Sequence, residues 1–147
     1  MSWQATYYKI TAAFLLLNDG DQRLLDQFGL SLSQYTVLRL LDPVEGMRPI
    51  DLTGPLLLEK SSVSRLVERL VQDQLIQRVA APDDRRSHRL VLTERGLALR
   101  EQARAAHEQS LAERLSVLAP DEHARLQALL DKLSTHLRRR LDGTGAP

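Results

Sequence analysis

The chain contains no cysteine. Disulfides, thiolate-ligated zinc or iron–sulfur centres and thiol redox switches are therefore excluded by composition alone. Aromatic residues are scarce, at 4% of 147 residues, with one tryptophan. No long hydrophobic run exists either. The nearest, "ITAAFLLL" at 10–17, is too short to span a bilayer, and "NDGDQR" follows it where a signal peptide needs small residues. The sequence thus predicts a cytoplasmic protein with no membrane partner and no cofactor. Signatures of catalysis are missing as well: there is no phosphate loop, dinucleotide glycine fingerprint, H-E-x-x-H or cysteine nucleophile. His88, His107, His123 and His136 are scattered, whereas a zinc site needs about four converging donors. No catalytic residue and no metal site are assigned.

What is present is a helix-rich composition, 43% hydrophobic and 27% charged, enough for one domain with helical extensions. The formal net charge is only +1, so total charge points to no partner. Its distribution does. Between Lys60 and Arg95, eight Lys/Arg stand against five Asp/Glu, and most of that excess sits on one helix and one loop.

Apolar spacing of three and four predicts a helix from about Ala5 to Phe28, on Tyr7, Ile10, Phe14 and Leu17. Ser31 or Ser33 can cap a second helix carrying Tyr35, Leu38 and Leu41 on one face, ended by Asp42-Pro43. A short helix is expected over about 50–57. "EKSSVSRLVERLVQDQ", 59–74, is the clearest amphipathic helix: Val63, Leu66, Val67, Leu70 and Val71 form one stripe, with Ser62, Arg65, Arg69 and Gln72 opposite. Two short strands follow, about 76–81 and 89–92, joined by the charged loop "PDDRRSHR". Thr93 can cap a long helix to about Leu118. Pro120, Asp121 and Glu122 suit the start of a last helix with Leu126, Leu130, Leu133 and Leu137 at heptad-like spacing.

Helix–turn–helix followed by a two-stranded hairpin is the winged-helix arrangement. The predicted fold is mainly α with a small β-hairpin wing, a winged helix–turn–helix core plus N- and C-terminal dimerisation helices. A duplex-reading helix needs a polar face that meets base edges and phosphates. Lys60, Ser61, Ser62, Ser64, Arg65 and Arg69 supply it. A hairpin tip reaches neighbouring phosphates or the minor groove, where arginine is favoured. Arg85 and Arg86 are the candidates there, with Asp84 as their brace and Arg89 a strand residue of undecided role. The first and last helices are too long and apolar for a monomer with one small winged domain, which predicts a homodimer. Trp3, Tyr7 and Tyr8 could line a ligand pocket, and packing across a dimer would use the same residues.

The segment "SSVSRLVERLVQDQLIQRVAAPDDRRSHRLVLTERG" resembles the multiple antibiotic resistance regulator (MarR) family of bacterial transcription factors. The carriers are the serine-rich helix ending in R-L-V-x-R-L, "LIQR", and a wing with D-x-R at Asp84 and Arg86, then L-T-x-x-G at Leu92, Thr93 and Gly96. "LSLSQYTVLRLL" and "LAPDEHARLQALLDKL" extend the likeness over nearly the whole chain. The resemblance implies a homodimer binding double-stranded DNA at palindromic operators, most often as a repressor relieved by a small, often aromatic or phenolic molecule. It also implies that Arg86 is the minor-groove arginine of the wing. It transfers no ligand-binding residue. The chain departs from the family in "DLTGPLLLEK": Leu57 stands where a turn glycine is common, Pro55 interrupts the short helix, and Glu59 replaces a small N-cap. One domain is expected over 1–147, with a DNA-binding lobe at about 31–93, dimerisation helices at about 5–28 and 94–141, and a flexible tail at 142–147. A winged-helix protein–protein module without DNA binding is the alternative; the arginines at 65 and 69 count against it.

Overall fold

The structure is a computed structural model and describes residues 2–84 and 86–143. Arg85 and the last four residues of the expected tail lie outside the described residues. Among the described residues, six α-helices and one hairpin follow in the order α1 (Trp3–Asp26), α2 (Leu32–Leu40), a 3-10 turn (Pro49–Leu52), α3 (Thr53–Leu56), α4 (Lys60–Gln72), β1 (Ile76–Ala80), β2 (His88–Leu92), α5 (Glu94–Leu115) and α6 (Pro120–Leu141). The chain divides into two compact units, with the boundary inside α5 between Glu108 and Gln109.

Local chemistry explains most boundaries. Ser2 caps α1 through the Ala5 amide at 3.3 Å. Ser31, not Ser33, caps α2: its hydroxyl accepts from the Gln34 amide at 3.1 Å, and the Gln34 side chain accepts from the Ser31 amide at 2.8 Å. That reciprocal pair satisfies two otherwise orphaned donors. The expected single helix over 50–57 is instead a 3-10 turn and one α-helical turn. Pro49 starts the first. Pro55 has no N–H to donate back along the chain, so the two pieces do not merge.

The core lies in the first unit, where Leu25, Val37, Leu38, Leu41, Leu52, Val63, Val67, Leu70, Ile76 and Leu90 are fully buried. Of the predicted α4 stripe, Val63, Val67 and Leu70 reach this core, while Leu66 and Val71 pack at its edge. β1 and β2 are antiparallel, with Arg78 opposite Leu90 and Val79 opposite Arg89. Because side chains alternate along a strand, buried Leu90 puts Arg78 on the body-facing side and Arg89 on the other.

The L-T-x-x-G run closes this unit. The Thr93 amide donates to the Leu75 carbonyl at 3.1 Å, and its hydroxyl donates to the Gln74 carbonyl at 2.7 Å. The same hydroxyl accepts from the Gly96 amide at 2.9 Å, capping α5. A Cβ at Gly96 would drive into the Leu75 carbonyl. Only glycine lets α5 start against the end of α4.

In the second unit, α6 has Pro120 at its first position, and the Glu122 carboxylate accepts from the Ala119 amide at 2.9 Å. No residue of α6 is buried, although Leu129 is 58% and Leu137 50% exposed. The first unit likewise exposes Trp3, Tyr7, Phe14 and Leu16 along α1. Among the described residues, no helix is long and apolar enough to cross a membrane.

Two substitutions test the backbone argument in opposite directions. Gly96→Ala is expected to destabilise the protein by roughly 1–3 kcal/mol through overpacking against Leu75. Leu57 sits in the left-handed region at φ 52°, with its side chain largely in solvent. Leu57→Gly should therefore stabilise by up to about 1 kcal/mol, the left-handed penalty less glycine's entropy cost. Urea melts followed by circular dichroism measure both.

Candidate nucleic-acid interface

The site is built on α4 and the β1–β2 tip. α4 turns its apolar stripe inward, which leaves Lys60, Ser61, Ser64, Arg65 and Arg69 exposed and Ser62 half-buried. These six predicted residues share the outward half of one helix. Glu59 is the N-cap but makes no side-chain cap bond. Its side chain therefore satisfies none of the first amides of α4, which stay available to an anion at the positive end of the helix dipole.

The arginines on this face differ in their bonding. Arg65 has no ion pair among the described residues. Arg69 donates from Nε to Asp73 at 3.2 Å, with both side chains well exposed. Arg78 on β1 reaches back to Glu68 of α4 at 3.0 Å. Exposed pairs of this kind are worth about 0–1 kcal/mol. A phosphate oxygen can displace such a partner at little cost, so Arg69 stays available, while Arg65 is free from the start.

At the wing tip, the Asp84 carboxylate accepts from the Arg86 amide at 2.9 Å, and the Asp84 carbonyl accepts from the Ser87 amide at 3.1 Å. The Ala81 amide then donates to the Ser87 carbonyl at 3.0 Å and closes the loop. Asp84 is thus the brace that the sequence suggested, acting on the main chain of Arg86. Arg86 itself is exposed. Arg85, the other predicted tip arginine, lies outside the described residues.

Sequence reasoning missed the support under the wing. The turn at 42–46 carries Asp42, whose carboxylate accepts from the amides of Glu45 (2.7 Å) and Val44 (2.8 Å). Those two bonds hold its pKa below the usual aspartate value. After the turn, Met47 and Leu90 exchange backbone bonds at 2.9 and 2.8 Å, adding a short third edge to the hairpin. The partners are more than forty residues apart, and Met47 carries no strand pattern of its own. The Asp42-Pro43 stop was the only local hint.

Comparison with known proteins places this geometry. The model of the MarR family matches residues 30–88, which hold α2, the helix–turn–helix and the wing tip. The HTH-type transcriptional regulator MhqR of Bacillus subtilis is 31% identical over 114 residues, 77% of this chain and 78% of that protein. The chain belongs to the MarR family. Its fold matches the crystal structure of AbsC, a MarR family transcriptional regulator from Streptomyces coelicolor. The TM-score there is 0.84 at 29% identity, over 94% of this chain and 99% of the other. A further MarR-fold neighbour is BpsR of Bordetella bronchiseptica, whose DNA binding is regulated by 6-hydroxynicotinic acid. It aligns with TM-score 0.76 and 25% identity over 86% of this chain and 91% of that one. The MarR assignment identifies α3–α4 as the helix–turn–helix and β1–β2 as the wing.

The lowered pKa of Asp42 has a consequence with a definite sign. A carboxylate with a depressed folded pKa stabilises above its unfolded pKa, and the stabilisation disappears as pH falls through the folded value. Stability should therefore decline on acidification through and below the ordinary carboxylate range. Asp42→Asn keeps the acceptor oxygen but removes the titration. Its urea midpoint should fall less steeply with acid than that of the unsubstituted protein, measured from neutral pH downward.

Proposed function

We propose that this MarR-family chain is a homodimeric, sequence-specific DNA-binding transcriptional regulator, most simply a repressor of a palindromic operator. It acts in the cytoplasm and has no catalytic activity. The observation that carries the reading is the α4 surface: an unpaired Arg65 and a weakly held Arg69 on the face opposite the core stripe. In this reading α4 enters the major groove, where arginine reads guanine edges. Lys60, Ser61, Ser62 and Ser64 meet the backbone, and Arg86, with Arg85 beside it, follows the minor groove or its phosphates.

The dimer rests on burial. No residue of the 22-residue α6 is buried and its leucines stay 38–78% exposed, while isolated helices are marginal in water. Apolar surface of that extent on α6, and again on α1, is characteristic of an interaction site. We assign about 31–93 to the DNA-binding lobe and about 5–28 and 94–141 to dimerisation. Two recognition helices then meet half-sites about one helical turn, ~34 Å, apart.

By analogy with BpsR, a small aromatic molecule regulates DNA binding. It acts by favouring a dimer whose recognition helices no longer match that spacing. Only a ligand with different affinity for the two states can do this. α5 is the natural transmitter because Thr93 fixes its start to the end of α4. Arg100, with 13% of its side chain exposed, bonds the Leu41 carbonyl at 3.1 Å and ties α5 to α2 as well.

Three outcomes are expected. Light scattering should give twice the 16.6 kDa chain mass, and Leu133→Glu should shift the protein toward monomer; a monomeric parent protein would refute the dimer. Gel shifts on a duplex selected from a random library should weaken steeply with salt. In the same assay, Arg65→Ala should cost about 1–3 kcal/mol on the selected duplex and much less on random DNA. Salt-insensitive or absent binding would favour the protein–protein module instead.

A further inference from the structure

We infer that Arg89 is a wing-positioning residue: it sets the reach of Arg86 by locking β2 to the turn before the helix–turn–helix. This rests on the DNA-binding reading above and deepens it. Arg89 lies on the face of the hairpin away from the core, opposite Val79. Its guanidinium Nη1 donates to the Glu45 carbonyl at 2.9 Å, across 44 residues of sequence. It acts through a main-chain atom rather than as part of the reading surface.

The anchor it grips is stiff. Asp42 accepts two amides within the turn, and the Gly46 amide donates to the Asp42 carbonyl at 3.0 Å. Gly46 holds φ 65° and lies so close to β2 that a Cβ would collide with the Leu90 carbonyl. Beside the turn, Arg48 holds Asp51 with two bonds, at 2.9 and 3.0 Å. Asp51 lines the cleft under the wing together with Asp83 and Arg89.

The hairpin is otherwise poorly supported beyond Leu90. Residues 82–84 and Arg86 are all exposed, and a two-stranded hairpin is marginal by itself. The Met47–Leu90 bonds fix one point on β2. Arg78 adds an exposed pair to Glu68 on the body-facing side, and neither attachment grips the outer face. The Arg89–Glu45 bond adds a point on the other face, three residues after Arg86.

The test uses the full-length protein and the duplex that it selects from a random library, with gel shift and hydroxyl-radical footprinting. Arg89→Met keeps the aliphatic stem and removes the donor, so folding is preserved, which a circular-dichroism melt checks. Affinity should fall roughly three- to tenfold, the scale of one ordinary solvent-exposed hydrogen bond. Protection should be lost at the flanking wing positions and kept in the central major groove. The deciding comparison is a double-mutant cycle with Arg86→Ala. If Arg89 only positions Arg86, adding Arg89→Met to Arg86→Ala causes no further loss. Additive losses would mean that Arg89 touches DNA itself and would overturn the proposal. So would unchanged affinity of Arg89→Met, or of Arg86→Ala. If the unsubstituted protein selects no duplex, the DNA-binding reading fails first, and the positioning role with it.

Discussion

One threonine ties the winged helix together. Thr93 bonds the last two carbonyls after α4 with its amide and hydroxyl, and caps α5 with the same oxygen. Three elements meet there: α4 ends, the wing returns and the long helix α5 begins. The junction works because Gly96 has no side chain where the Leu75 backbone passes. A threonine followed three residues later by glycine is therefore a packing requirement before it is a family signature. It couples any rotation of α5 to the helix that carries Arg65 and Arg69.

The electrostatics around that junction separate structural from available charge. Arg100 is nearly enclosed and satisfied by a carbonyl, and Arg89 is spent on Glu45. Arg78 joins the wing to α4 through Glu68. Arg65 and Arg86 are left with exposed cationic side chains at the helix face and the loop tip. A formal net charge of +1 conceals this division, since what matters for a polyanion is which cations have no internal obligation.

The parts legible in the sequence were those set by short-range periodicity and capping. The α4 stripe, the Ser31 box, the Thr93 cap, the Pro120 start and the Asp84 brace all follow from residues within four positions of one another. Less legible were features decided by distant partners. The Met47 bridge and the Arg89–Glu45 bond depend on a turn more than forty residues away, and no local pattern announces them. The short helix before α4 was misjudged for a different reason: Pro55 removes a donor, and one predicted helix became a 3-10 turn and a single α-turn.

Leu57 and α6 can be understood together as places where local rules are broken. Leu57 holds a left-handed backbone that glycine would adopt without steric penalty, and α6 displays leucines that a lone helix has no reason to carry. The first is a modest strain that the core of the unit can absorb. The second is larger, because a helix with no buried residue relies mainly on its intrinsic propensity. If a second copy covers those leucines, folding of α6 and association become a single equilibrium, and stability rises with protein concentration. A regulator built this way would present its paired reading heads only when dimeric. Specificity for a two-fold operator would then be a consequence of how the chain folds.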